Sequence, residues 1–367
     1  MKFAISREEF LIPLQLVAGA VEKRHTLPIL SNVLMKVDEG KLWLTGTDLE
    51  VELISSIALS GDFENGEITV PAKKLFDICR SLSPETQIEF LVDKSKVLIR
   101  SGRSKYTLSS LPADDYPNLE DWKGEIEFEI SQKNLRSLIE NTHFSMAQQD
   151  VRYYLNGLSI ELEGDVIRSV ATDGHRLALS KFLLEGANFQ SNQVIIPRKG
   201  VMEILRLIGE EDNLLKIHIG TNHIRIFTSD FIFTSKLVDG RFPDYRRVLP
   251  RDGDKEIFAD KSYLKSSLVR ASILSNEKFR GVRLELKDKE LKITANNPEQ
   301  EEAVELVDVD YVGDELEIGF NVAYLIDVLS SIDAEEIKLT LADSNSSALI
   351  EAKDSDSSLY VVMPMRL

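Results

Sequence analysis

The segment Thr172-Asp173-Gly174-His175-Arg176 contains residue types that carry out acid-base chemistry. An aspartate close to a histidine can orient the imidazole, which then acts as a general base. No nucleophile or partner base is identifiable beside this segment, so the constellation is incomplete. A hydrolase or a metal-dependent nucleic-acid enzyme using Asp173 and His175 is therefore kept as an alternative, and we predict no catalytic residue and no enzymatic activity.

Candidate metal ligands occur in two short patterns, His218-x4-His223 and Asp308-Val309-Asp310. The histidines fall in a predicted hairpin without a nearby cysteine, and two aspartates separated by one residue in a strand are typical of a solvated face. The chain also contains no H-E-x-x-H, no Walker loop and no G-x-G-x-x-G. We therefore predict no metal site and no cofactor.

Cys79 is the single cysteine, so neither an intrachain disulfide nor a cysteine-based zinc site can form. This usage is typical of a reducing cytosol, and we expect a cytoplasmic protein. Residues 10–20 form an apolar run that resembles a signal peptide, but the preceding Glu8 and Glu9 are unlike its basic leader. No run approaches the ~18 apolar residues of a membrane span, so no membrane partner is predicted.

Charge is distributed unevenly along the 367 residues, whose 44 basic and 61 acidic side chains give a net charge of −17. The net charge of the whole chain argues against a protein that binds the phosphate backbone of a nucleic acid. The three thirds of the chain, however, carry −5, −1 and −11. Because salt screens surface charges beyond ~8–10 Å, basic residues on particular helices can still face DNA.

Three helices are indicated by one apolar pattern, i, i+3, i+4, i+7. The pattern occurs three times, at intervals of 126 and 124 residues. This pattern is typical of a helix that buries one face, and a repeat at a fixed interval indicates a repeated fold. A second strand-helix unit opens each third, and hairpin turns join β-rich runs between the helices. The three helices carry Leu75, Ile78, Cys79 and Leu82, then Val201, Ile204, Leu205 and Ile208, then Leu325, Val328, Leu329 and Ile332.

The repeat predicts an α+β protein of three similar domains, each with two strand-helix units and antiparallel sheets. We place the domains at residues 1–125, 126–252 and 253–367, because Pro, Asp and Gly cluster at 112–124 and 243–254. The length fits two or three domains.

Two strand-like segments carry opposite charge: residues 94–108 are basic and residues 299–310 are acidic. If both form sheet edges, the first domain of one molecule can pair with the third domain of another, head to tail. The alternative is that each edge is charged and solvated to discourage pairing.

The apolar C-terminal segment around Met363 and Met365 also has two interpretations. It is either one wall of a groove for a peptide anchor or a final core strand.

The whole chain resembles the bacterial β subunit of DNA polymerase III, the sliding-clamp family. The resemblance rests on the threefold repeat and on four segments: Arg24-His25-Thr26-Leu27-Pro28-Ile29-Leu30, Thr172-Asp173-Gly174-His175-Arg176-Leu177, Asp239-Gly240-Arg241-Phe242-Pro243-Asp244-Tyr245 and Val361-Val362-Met363-Pro364-Met365-Arg366-Leu367. It implies the DNA clamp fold, with helices lining a ring, and a head-to-tail homodimer that encircles duplex DNA. The alternative function is a repeat-built scaffold for proteins that does not enclose DNA.

The resemblance also implies functional residues and partners. DNA-facing positions would be Arg24, Lys73, Gln149, Tyr153 and Tyr154. A partner-peptide groove would use Leu155, Thr172, Gly174, His175, Arg176, Leu177, Pro243, Arg247, Val248, Val361, Val362, Met363, Pro364, Met365, Arg366 and Leu367. The dimer interface would join Lys74, Arg103, Lys105, Tyr106 and Leu108 to Ile273, Leu274, Glu299, Glu301 and Glu305.

The implied partners are the polymerase III catalytic subunit, an ATP-driven clamp loader, and other polymerases and repair proteins that insert short apolar motifs. Lys73 and Lys105 stand where relatives usually have arginine. Lysine keeps the charge but loses the two-pronged hydrogen bonding of a guanidinium.

Overall fold

The computed structural model describes residues 1–21, 27–117, 123–250 and 253–366. It divides into two compact units, which we call the first unit (Met1–Lys133 with Met202–Leu237) and the second unit (Asn134–Val201 with Val238–Leu367). Each unit combines antiparallel sheets with helices, which confirms the predicted α+β class. Among the described residues no helix is both long and apolar enough to span a bilayer.

The described residues form six α-helices: α1 (Arg7–Ala18), α2 (Ala72–Ser81), α3 (Gln132–Glu140), α4 (Arg198–Leu207), α5 (Lys261–Ser272) and α6 (Val322–Ser331). The first strands in chain order are β1 (Lys2–Ser6), β2 (Asn32–Asp38), β3 (Lys41–Thr47), β4 (Val51–Ala58), β5 (Gly66–Pro71), β6 (Gln87–Asp93), β7 (Lys96–Ser101), β8 (Ser104–Ser109), β9 (Ile126–Ser131), β10 (Gly157–Gly164), β11 (Val166–Thr172) and β12 (Arg176–Leu183). They are followed by β13 (Phe189–Pro197), β14 (Leu214–Ile219), β15 (His223–Phe227), β16 (Ile232–Lys236), β17 (Lys255–Asp260), β18 (Gly281–Lys287), β19 (Glu290–Asn296), β20 (Glu302–Asp308), β21 (Leu316–Asn321), β22 (Glu336–Leu341), β23 (Ala348–Ala352) and β24 (Ser355–Val362).

The first unit contains an eight-stranded sheet, in the order β5-β2-β3-β4-β16-β15-β14-β9, and a four-stranded sheet, β1-β6-β7-β8. In the larger sheet, β4 pairs with β16, with Ile54 opposite Ile232. Helices α1 and α2 pack on each other, and α1 also packs on β3 and β4.

The second unit repeats this arrangement, with an eight-stranded sheet, β13-β10-β11-β12-β24-β23-β22-β17, and a four-stranded sheet, β20-β19-β18-β21. Its central pair is β12 and β24, with Leu177 opposite Val361. Helices α5 and α6 pack on each other above a continuous apolar core that includes Phe320 and Tyr360.

The two compact units do not coincide with the three predicted domains. The reason is that each eight-stranded sheet combines four strands from each of two consecutive predicted domains. The predicted boundaries, 1–125, 126–252 and 253–367, therefore stay predictions.

Three helices start directly after polar residues that end the preceding strands. Ser6 accepts a hydrogen bond from the Glu9 amide at 3.3 Å, and Asp260 accepts one from the Tyr263 amide at 2.6 Å. Asn321 accepts one from the Ala323 amide at 2.9 Å. Each side chain satisfies an amide that the first helical turn leaves without an intrahelical partner.

A hydrogen-bonded turn joins β3 to β4 in the first unit. The Thr47 hydroxyl donates to the Val51 carbonyl and accepts from the Leu49 amide, while Asp48 Oδ1 accepts from the amides of Glu50 and Val51 at 2.9 Å each. The φ angle of Leu49 is +77°, in the left-handed region that favours glycine. The neighbouring strand reaches this turn through the Lys236 amide, which donates to the Glu50 carbonyl at 2.9 Å.

Candidate functional site

The second unit contains a cavity of about 370 Å³ beside the β12–β24 pair. Its lining includes ten of the residues predicted for the partner-peptide groove: Leu155, Thr172, Gly174, His175, Arg176, Leu177, Pro243, Val248, Val361 and Met363. Four further residues line it that the sequence analysis missed: Arg152, Asp244, Tyr245 and Ser347. We call this cavity the groove.

The apolar base of the groove is supplied by Leu155, Leu177, Tyr245 and Val361, which belong to one buried cluster and are at most 4% exposed. Leu177 and Val361 lie directly opposite each other on neighbouring strands, so their side chains share one face of the sheet. An apolar base with a few polar groups around it is typical of a ligand site.

The turn between β11 and β12 shapes one side of the groove. The Thr172 hydroxyl donates to the Arg176 carbonyl at 2.6 Å and accepts from the Gly174 amide at 3.1 Å. Asp173 Oδ1 accepts from the amides of His175 and Arg176 at 2.9 and 3.0 Å. The segment that looked catalytic in sequence therefore uses its aspartate to hold its own backbone.

Gly174 is the position in this turn where glycine is required. Its φ angle is +89°, and a Cβ atom there would lie 3.1 Å from a guanidinium nitrogen of Arg152. A larger residue would add backbone strain and press on that side chain.

Arg176 ties the turn to helix α6. Its guanidinium contacts Asp173 at 3.2 Å and Asp327 at 2.5 Å, and it donates to the Phe144 carbonyl at 2.8 Å. The same group stacks over the Tyr324 ring, 4.5 Å from the centroid. Such a fully engaged arginine fixes one wall of the groove in a single geometry.

Arg152 stands at the groove beside an acidic partner. It makes two hydrogen bonds to the Asp150 carboxylate, at 3.0 and 2.9 Å, and these lower the pKa of Asp150 to about 2.

The predicted DNA-facing residues Gln149, Tyr153 and Tyr154 belong to the loop that carries Arg152 and to the short 3-10 turn after it. The Tyr153 side chain is exposed, and its ring meets that of Tyr154 edge to face.

The C-terminal segment separates into residues that face different sides. Val361 faces the groove cluster, whereas Val362 is fully buried in the opposite core, so Val362 does not line the groove. The Met363 amide donates to the His175 carbonyl, and the Met365 amide to the Gly319 carbonyl, at 2.9 Å each. Pro364 and Met365 are half-buried and Arg366 is exposed, while Leu367 lies outside the described residues.

Arg247, also predicted for the groove, lies instead at a neighbouring cavity of about 520 Å³ that shares Val248 and Ser347 with the groove. Its guanidinium pairs with Asp244 at 2.9 Å.

The remaining predicted DNA-facing positions lie in the first third of the chain. Lys73 is exposed on α2, and Arg24 lies outside the described residues.

Some of the predicted interface residues lie on or beside two strands that end sheets in the described parts of the chain, β8 and β20. Lys105, Tyr106 and Leu108 lie on β8, the edge strand of the first unit's small sheet, and exposed Arg103 lies in the turn before it. Leu108 is only 9% exposed, so its side chain packs mainly within its own unit. Lys74 is exposed on α2.

The second edge is β20, in the small sheet of the second unit. Exposed Glu299 and Glu301 precede it, and Glu305 lies on it. Glu305 is paired with Arg270 of α5 at 2.5 Å, which lowers the pKa of the carboxyl. Ile273, 74% exposed, and half-buried Leu274 follow α5.

In the parts of the chain that the structure describes, no three His, Cys, Asp or Glu side chains cluster so as to hold a metal ion. His218 lies beside Glu127, with 3.4 Å between Nε2 and the carboxylate, and its ring centroid is 4.6 Å from that of Phe227, with the two rings tilted by 56°. Burial lowers the pKa of His218 and of His223.

Three family models of the DNA polymerase III beta subunit match the chain: the N-terminal domain at residues 1–120, the central domain at 129–244 and the C-terminal domain at 246–366. A Pseudomonas aeruginosa protein named beta sliding clamp is 56% identical, with 100% of both chains covered. A crystal structure of the P. aeruginosa DNA polymerase III subunit beta superposes with a TM-score of 0.98 at 56% identity over 100% of both chains. Another P. aeruginosa sliding-clamp structure, bound to griselimycin, gives 0.97 at the same identity and coverage.

The resemblance inferred from the repeat and the four segments is thereby confirmed, and so is the three-domain clamp fold. The chain belongs to the DNA polymerase III beta subunit family, the bacterial beta sliding clamps.

Proposed function

We propose that two copies of this chain close head to tail into a ring around duplex DNA, and that the ring tethers the replicative polymerase to its template. The observation that carries the proposal is the pair of oppositely charged free edges, β8 and β20. A contact between two different surfaces closes into a ring when the rotation permits, and two copies make the smallest one. Each copy would be built from the three domains at 1–125, 126–252 and 253–367.

The β8 edge offers positive charge and the β20 edge offers negative charge. Exposed Arg103 and Lys105 lie at the first, and exposed Glu299, Glu301 and Glu302 at the second. Edge strands also carry unpaired amide and carbonyl groups that a second strand can satisfy. Such complementarity favours pairing of β8 with β20 over pairing of either edge with itself.

Apolar surface accompanies the acidic edge. Ile273 is 74% exposed, and Val304 and Leu306 of β20 are 49% and 52% exposed. Large apolar side chains grouped at a surface are typical of a protein interface. They would supply the buried centre of the dimer contact, with the charged residues around it.

The groove would receive short apolar segments of the polymerase III catalytic subunit, the clamp loader, and other polymerases and repair proteins. Its size and apolar base suit one or two large side chains, and the rim supplies hydrogen-bonding groups. We also propose that griselimycin, bound in the P. aeruginosa structure, occupies this groove in the present chain.

We assign the chain a non-catalytic role in the cytoplasm. The Asp173 carboxylate is occupied by two backbone amides and Arg176, which leaves it poorly placed to act as a base for His175. Nuclease and phosphatase assays with added Mg²⁺ are expected to give no turnover.

Retention on DNA tests the ring. Protein loaded with a clamp loader and ATP is expected to stay on nicked circular DNA and to leave the same DNA once it is cut to a linear form, because a ring slides off free ends. Arg103→Glu should sediment as a monomer of 41.4 kDa at dilute concentration and lose retention on the circle.

Lys287→Glu makes the same charge change at an exposed residue, the last of β18, and serves as the matched control. It should remain a dimer. Equal retention on circular and linear DNA would contradict enclosure, and an unchanged sedimentation profile for Arg103→Glu would contradict the interface.

A further inference from the structure

Glu161 is a buried carboxylate directly behind the groove. It lies on β10 and is 7% exposed. It accepts a hydrogen bond from the Tyr245 hydroxyl at 2.6 Å and one from Arg246 at 3.0 Å, and Arg168 lies at 3.7 Å. A buried charge is retained only when such partners compensate its lost hydration, so the cluster fixes the positions of all its members.

Tyr245 connects this cluster to the groove. Its side chain lines the groove and packs in the apolar cluster with Leu177 and Val361, while its hydroxyl reaches Glu161. Neighbouring Asp244 and Val248 also line the groove. The carboxylate therefore holds the hydroxyl end of a side chain that forms part of the groove lining.

The first unit contains an equivalent tyrosine, Tyr116, whose hydroxyl has different partners. An Asp-Tyr pair closes the first third of the chain, as Asp115-Tyr116, in the same way that Asp244-Tyr245 closes the second. Tyr116 packs with Ile29 and Leu30, and its hydroxyl lies 3.1 Å from the Thr45 carbonyl and 3.3 Å from the Asn32 carbonyl. This hydroxyl bonds to the backbone of the sheet rather than to a carboxylate.

The position that corresponds to Glu161 differs between the two units. Glu161 lies two residues before Glu163, which pairs with Val166 to close the β10–β11 hairpin. Lys36 lies two residues before Asp38, which closes the β2–β3 hairpin with Lys41 in the same way. A lysine cannot accept a hydrogen bond from a tyrosine hydroxyl, and Lys36 instead pairs with Asp38 at 3.4 Å.

We infer that Glu161 is a positioning residue for the groove: its carboxylate holds the Tyr245 ring in the wall and keeps the ring from turning into the cavity. This inference rests on the proposed peptide-binding function of the groove. It assigns the affinity of the groove partly to a residue that contacts no ligand.

Griselimycin affinity, measured by titration calorimetry on the full-length protein, tests this assignment. Glu161→Ala should weaken binding by about tenfold, equivalent to ~1.4 kcal/mol, because the ring loses its acceptor. Glu161→Gln should stay within about twofold of the unsubstituted protein, since its amide oxygen still accepts from the hydroxyl. Glu163→Ala, the matched control, removes a nearby partner of Arg168 and Arg246 that has no bond to Tyr245, and should also stay within about twofold.

Tyr245→Phe removes the same hydrogen bond while leaving the arginine pairs of Glu161 in place, and keeps the test decisive if Glu161→Ala does not fold. The double variant Glu161→Ala/Tyr245→Phe should lose no more affinity than either single variant, because both act through one bond. Unchanged affinity in both single variants, or fully additive losses, would overturn the inference.

A crystal structure of ligand-free Glu161→Ala separates this inference from the proposed function. We expect the Tyr245 ring to be displaced and the cavity of about 370 Å³ to shrink. An unchanged ring and cavity would overturn the positioning role. Failure of the unsubstituted protein to bind griselimycin would instead contradict the proposed ligand of the groove, and the crystal structure would still decide the role of Glu161.

Discussion

Two turns in this molecule have the same hydrogen bonds but different surroundings. The turn at residues 47–51 in the first unit and the turn at 172–176 in the second each use a threonine hydroxyl and an aspartate carboxylate to hold four backbone groups. In both, the third residue has a positive φ angle, +77° at Leu49 and +89° at Gly174. In each case the carbonyl of the fourth residue accepts a hydrogen bond from another segment: Glu50 from the Lys236 amide of β16, and His175 from the Met363 amide just after β24.

The difference lies in the side chains that the shared backbone carries. The second unit has Gly174, Arg176 and Leu177 where the first has Leu49, Val51 and Glu52. Glycine leaves room beside Arg152, the arginine anchors the turn to α6, and the leucine supplies apolar base. The groove therefore depends on a few side chains placed on a backbone that the protein uses twice.

The largest expected loss of griselimycin affinity comes from replacing Gly174 of the second turn by leucine, the residue at the equivalent position 49 of the first turn. Gly174→Leu adds strain of about 1–2 kcal/mol at a positive φ and forces the Arg152 side chain to move. We expect at least a tenfold loss of griselimycin affinity by calorimetry, with the dimer intact by sedimentation. The reverse change, Leu49→Gly, relieves strain in the first turn and should leave affinity unchanged; a comparable loss there would show that the two turns are not functionally distinct.

Removing the aspartate from each turn should separate stability from binding. Asp48→Ala and Asp173→Ala each leave two backbone amides without their acceptor, at a cost of about 1–3 kcal/mol. Thermal unfolding should therefore begin at lower temperature in both variants. Only Asp173→Ala, which also frees Arg176, should weaken griselimycin binding, by several-fold; equal affinities in the two variants would contradict the distinction.

The smallest effect is expected at the first unit's tyrosine. Tyr116→Phe removes one buried hydroxyl that bonds to backbone carbonyls, which costs about 1 kcal/mol. We expect a small decrease in the unfolding temperature and no change in griselimycin affinity. A loss of affinity equal to that of Tyr245→Phe would remove the contrast between the two tyrosines.

Much of the fold was predictable because local rules act strongly on these residues. The apolar helical pattern places Leu75 and Cys79 in α2, and both are fully buried, which raises the pKa of the Cys79 thiol to about 12. Ser6, Asp260 and Asn321 cap the helices that follow them. The hairpin at Glu39 and Gly40 turns through two positive φ angles, as a tight turn between antiparallel strands requires.

The groove was predictable only in part, because its shape depends on where distant loops and side chains finally pack. Strand alternation alone would have assigned Val361 and Val362 to opposite faces, which is what the structure shows. Asp244 and Tyr245 lie within residues 239–245, one of the four segments that carry the family resemblance. Nothing in the sequence marked Ser347, which reaches the groove from the loop between β22 and β23.

The central place of β24 has a consequence for how the protein is made. The residues of β12 lie 178–186 positions before their partners in β24, so on the ribosome β12 presents an open edge until residue 362 has been synthesised. Closing so long a loop is slow and joins the two halves of the eight-stranded sheet in one late step. Because Val361 and Met363 complete the lining of the groove in that same step, the groove has all of its walls only once the second unit is whole.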